Sequence, residues 1–158
     1  MTKLLRSLHV LAAIVAVGPV TVAASMFPAT LRRALGTSGD GGARTTLRTL
    51  HRSCRVYAGI GIAVPLFGFT TAGSLGVLGD TWLITSILLT AAAAAVLALL
   101  VLPAQDRALA ETTSSASPLP APTPLAPGRL AMLTGIFNLL WATVTVLMII
   151  RPGSTTGV

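Results

Sequence analysis

The side chains in this chain best suited to hold a metal or a cofactor are two histidines, one cysteine and a few methionines. His9 stands just inside the first long apolar run and Met148 near the end of the last. Histidine and methionine together form a known axial pair for haem iron. With an even number of membrane crossings the two side chains fall at similar depth, so a haem or copper centre on His9 and Met148 is one reading. His51 and Cys54 sit one helical turn apart, with Met26 and Met132 expected at comparable depth. Soft ligands of that kind suit Cu(I). His9 and His51 should lie near opposite surfaces, on the order of 25 Å apart across a bilayer, so one iron cannot take both. The plainer reading has no cofactor: His51 is an interfacial side chain and Cys54 a buried thiol.

Arg6 and His9 are three residues apart and share a helix face. The acid expected on their side is Asp80, which is assigned to pair with Arg6 or His9 and so clip the second loop to the first helix. Asn138, deep in the last apolar run, is expected to hydrogen-bond across helices, a contact worth ~0.6–2 kcal/mol. Pro19 and Pro65 lie near the middle of the first two runs. Each lacks an amide hydrogen and crowds the carbonyl four residues back, so both helices should kink there. Kinks at that depth can line a transport site, although the runs hold no Asp or Glu to couple ion movement. No serine, histidine and acid set, no paired carboxylates and no phosphate-cradling glycine loop is present, which argues against an enzyme.

These residues must be positioned by membrane helices. Of the 158 residues 53% are hydrophobic and 9% charged, far from the soluble average of roughly a quarter charged. The excess is gathered in four runs, about Leu8 to Leu31, Val56 to Leu78, Thr81 to Leu102 and Leu130 to Ile150. Each reaches the ~20 residues that cross a ~30 Å hydrocarbon core. Stretches such as "TAAAAAVLALLVL" have no alternation of period two, so a β-barrel is excluded and the expected fold is an all-α, four-transmembrane-helix up-down bundle. Lys3, Arg6 and "VAAS" (Val22 to Ser25) resemble a secretory signal, but the apolar run continues past that point to Arg32 and Arg33 and reads as a span.

Arginine distribution sets the threading. The first and third loops hold Arg32, Arg33, Arg44, Arg48, Arg52, Arg55, Arg107 and Arg129, whereas the other side holds Lys3, Arg6 and Arg151. Cytoplasmic loops retain such cations, so both termini are expected outside a cell membrane. The net charge of +7 then points to anionic lipid headgroups on the cytoplasmic side. Nucleic acid is excluded as a partner by the lack of any groove-reading or stacking motif. Arg44, Arg48, Arg52 and Arg55 form a stripe suited to headgroups, with Leu47, Leu50 and Cys54 on another side of the same helix. "GTSGDGG" (Gly36 to Gly42) is a linker, and the proline-rich stretch of about 103–128 a flexible tether, into which the third helix could extend toward Glu111. Trp82 is placed as an interfacial anchor. The small pairs Gly59 and Ala63, Ala91 and Ala95, and Ala131 and Gly135 are assigned to contacts within the bundle.

The opening "LLRSLHVLAAIVAVGP" and the closing "TVLMIIRPG" together resemble an uncharacterised bacterial integral-membrane family, domain of unknown function 2269, over nearly the whole chain. That resemblance implies a small four-helix membrane protein and supplies no activity. The "LHVLAAI" opening is also similar to membrane families linked to copper handling and haem metabolism, which often place tryptophan and paired glycines after the histidine; here the stretch is "VAVGP". The leading functional reading is an accessory, scaffold or assembly component of a membrane complex, alone or with a membrane protein partner or further copies of itself. A haem- or copper-associated redox protein using His9 and a small-solute transporter are the alternatives.

Overall fold

The computed structural model describes residues 2–36, 41–113 and 127–153. Among them there is no strand. Helix α1 covers Thr2–Gly36, α2 Gly41–Ile60, α3 Ala63–Leu75, α4 Thr81–Ala95, α5 Leu102–Thr113 and α6 Pro127–Ile150. A π-helical stretch, Val96–Val101, joins α4 to α5. Four helical stretches are long and apolar enough to cross a membrane: Ser7–Gly36, Gly41–Leu75, Thr81–Thr112 and Pro127–Ile150. The protein is an all-α, up-down bundle in which α1 packs along α2 and α3 and against α6, α6 packs against α4, and α5 closes onto α2.

In lipid every polar group must find a partner within the protein. Threonines meet this locally: Thr70, Thr85, Thr90, Thr143 and Thr145 each donate a hydroxyl to the carbonyl four residues back, at 2.7–3.0 Å. The two membrane prolines differ in effect. Helix α1 continues through Pro19. The second span breaks at Gly61 and Ile62, between α2 and α3. There the ladder tightens to three-residue bonds, Ile62 N–H to the Gly59 carbonyl (3.2 Å) and Val64 N–H to that of Gly61 (3.1 Å). Pro65 has no N–H to offer Gly61, and Val64 takes that carbonyl instead.

The third helix does not stop where its apolar run does. Leu102 N–H reaches back to the Leu97 carbonyl, a five-residue bond that opens the turn just before Pro103 and lets the ring pass. Helix then continues to Thr113, into the stretch read from sequence as tether; residues 114–126 of that stretch, and 37–40 of the glycine-rich linker, lie outside the described residues. The extension is held by a buried cluster in which Ala104 and Ala108 of α5 meet Phe27 and Leu31 of α1, Leu47 of α2 and Leu130 of α6. At the other end, Gly76 adopts a left-handed φ of 69° that closes α3, with Val77 N–H bonding the Ala72 carbonyl at 3.3 Å.

Candidate functional site

Helices α2 and α5 bring four polar side chains together. The face of α2 turned to the core carries Ala43, Leu47, His51 and Cys54, spaced by three and four residues, and all are buried. His51 Nδ1 lies 3.0 Å from Gln105 Oε1. The amide nitrogen of Gln105 donates to Cys54 Sγ at 3.7 Å. His51 Nε2 is 2.9 Å from Asp106 Oδ1. That contact lies off the N–H direction and is not a directed hydrogen bond. Gln105 and Cys54 are fully enclosed and His51 is 7% exposed, whereas Asp106 faces out. Gln105 is 25 residues past Asp80, roughly 37 Å at helical rise, so the cluster sits beyond a ~30 Å hydrocarbon core.

This cluster contains two residues singled out from sequence, His51 and Cys54, and two that were not, Gln105 and Asp106. The missed signal was the Ala104 and Ala108 spacing, which gives α5 a small-residue face despite the preceding proline. Arg48, Arg52, Arg55 and Arg107 surround the cluster on exposed faces of the same helices; Arg44 is half-buried. His51 with Asp106 is the one ion pair among the described residues. No three His, Cys, Asp or Glu side chains converge as a metal would need among the described residues.

His9 is on α1 and meets α3. Its Nδ1 lies 3.1 Å from the Val64 carbonyl, next to the break in the second span. Gly68 makes room for the ring: a Cβ there would stand 3.0 Å from His9 Cε1. Met148 offers its carbonyl to Arg151 Nε at 3.4 Å. The Arg6 side chain lies outside the described residues. Asp80 takes Trp82 as its partner, accepting from the indole N–H at 3.0 Å. Arg151 lies over the same indole, 5.6 Å from the ring centroid. Trp82 is 7% exposed and packs on Ala72, Val77 and Leu83, so it ties the second loop to the C-terminal end of α6 from inside and is not a lipid-facing anchor. Asn138 donates to Ser25 of α1 at 3.1 Å, while its own Oδ1 and the hydroxyl of Thr134, one turn earlier, are buried with no partner.

At mid-depth the four spans line a side-open cavity of about 180 Å³. Ala16, Val17 and Val20 line it from α1, Ala58, Gly61 and Pro65 from the second span. Ala94 and Leu97 close it from the third span, and Phe137 and Trp141 from α6. Its surface is almost wholly apolar, unlike the polar path a solute transporter would need. Its origin is local: Gly61 brings no side chain, Pro65 sets the break, and three of the facing residues are alanine.

Small residues elsewhere face outward. Gly59, Ala91, Ala95 and Ala131 are exposed, and nothing stands within 4 Å of a Cβ placed at Gly59 or Gly135. The bundle's own close contacts use Ala23, Ala24, Ala72, Ala93, Ala104 and Ala108 instead. No curated protein and no solved structure matches the chain. A family model described as a predicted integral membrane protein, DUF2269, matches residues 3–152, and with four membrane-length helices in the same region the chain belongs to that family.

Proposed function

We propose that the protein is an accessory or scaffold component that assembles with other membrane helices, with its arginine-bearing end at the anionic cytoplasmic leaflet of the cell membrane. The observation that carries this reading is the outward placement of Gly59, Ala91, Ala95 and Ala131. Helices in lipid associate by close backbone approach at small residues, because apolar side chains gain nothing by leaving an apolar solvent. Small surfaces that the bundle does not use for itself are where a partner helix approaches most closely. The protruding, arginine-covered end formed by α1, α2 and α5 supplies a headgroup-level platform beside such an assembly.

Photo-crosslinking in native membranes tests this. A photoreactive residue at Ala91 or Ala131 should give discrete adducts, whereas one at Leu99, which is 71% exposed, should give lipid adducts only. Ala95→Leu should abolish the discrete adduct from Ala91 without lowering the thermal stability of the purified bundle. Lipid adducts alone at every small-residue position would overturn the reading.

A further inference from the structure

The cavity at the meeting point of the four spans is unexplained by an assembly role. We infer that it is a binding site for the end of a lipid acyl chain. Its volume of about 180 Å³ slightly exceeds the ~150 Å³ of an apolar cavity that stays dry and accepts a benzene ring, so it has space for a hydrocarbon segment of about six carbons. Its lining offers almost no polar surface. Water would therefore lack the hydrogen-bond partners it needs there, and so would a polar solute.

The position selects the occupant. The lining residues Ala16, Pro65, Ala94 and Phe137 all fall near the middle of their apolar runs. Ile62 and Ala94, also in the lining, are exposed, so the cavity opens sideways at that depth. The medium outside a membrane helix at mid-depth is the bilayer's own hydrocarbon. An acyl chain reaches this mouth without leaving the bilayer. Entry gives the lining atoms contacts that an empty space denies them.

The test uses the full chain in phosphatidylcholine nanodiscs whose tails are either unmodified or dibrominated near their ends. Bromine quenches indole fluorescence at contact, and Trp141 forms part of the cavity wall. The other tryptophan, Trp82, lies at the end of the bundle beneath Arg151 and is common to all samples. Ala94→Phe fills the cavity from the third span and Ala58→Leu from the second, so one remains if the other fails to fold by circular dichroism. Brominated tails should quench the wild type more strongly than either filled variant, with the excess cut by at least half. Equal quenching in wild type and a folded, filled variant would overturn the proposal. Quenching of the wild type by free bromobenzene, with none in excess from brominated tails, would also overturn it, by showing a cavity that admits a ring but not a chain.

Discussion

His51 is the residue on which the extramembrane end of the bundle turns. It is buried on the core face of α2, and both ring nitrogens lie within 3.0 Å of side chains of α5. Replacing it by Phe keeps an aromatic ring in place but leaves the enclosed Oε1 of Gln105 without its partner, a loss of about 1–3 kcal/mol for a buried polar group. Asp106→Asn should cost under about 1 kcal/mol, because an exposed carboxylate gains little from an ion pair in water. Gln105→Leu removes both the His51 and the Cys54 contact and should resemble His51→Phe, with a double variant well short of additive. Thermal unfolding of the four proteins in one detergent checks the order; equal costs for Asp106→Asn and His51→Phe would show that the ion pair, not the buried amide, holds α5. Only half of this site was legible in the sequence. His51 and Cys54 stood out by type and spacing, but Gln105 and Asp106 lie beyond Pro103, where the sequence allowed helix to extend toward Glu111 but gave no apolar run to show which face it would bury.

At the scale of elements, the two places where the helical ladder changes pitch decide the shape. Near Pro65 it tightens and leaves a gap between α2 and α3; near Pro103 it widens and lets helix continue. Pro65→Ala supplies the missing N–H and should straighten the second span. Spin labels at Arg48 and Ser74, both exposed, would then move apart toward the ~39 Å that 26 residues of straight helix cover. An unchanged distance would mean that tertiary contacts, among them His9 on Val64, hold the break without the proline. Both prolines in the centres of their runs predicted kinks by the same rule, yet α1 continues as helix through Pro19 while the second span breaks. The difference lies in Gly61, four residues before Pro65, whose bare backbone permits the tighter turn. Span number and span type were legible because lipid demands ~20 apolar residues per crossing. The small-residue pairs were legible as close-approach surfaces, but periodicity carries no information on which neighbour approaches, and several face outward.

For the whole molecule, length and charge act together. Helices of 30, 35 and 32 residues in the first three spans exceed the ~20 a bilayer needs, so the bundle projects from one surface, and the projecting end carries Arg32, Arg33, Arg48, Arg52, Arg107 and Arg129 on exposed faces. Arginine retention in the cytoplasm predicts the orientation. In a Cys54→Ala background, an impermeant thiol reagent on intact cells should label Gly153→Cys and spare Arg33→Cys until the membrane is opened; the reverse pattern would invert the bundle. The lone thiol of the native chain has a further use. Cys54 is fully enclosed, behind Gln105 and against Ala23 and Ala24, so a maleimide can reach it only while the packing of α1, α2 and α5 has opened. The rate of that reaction is a clock, wound by the protein itself, for how often the projecting end comes undone.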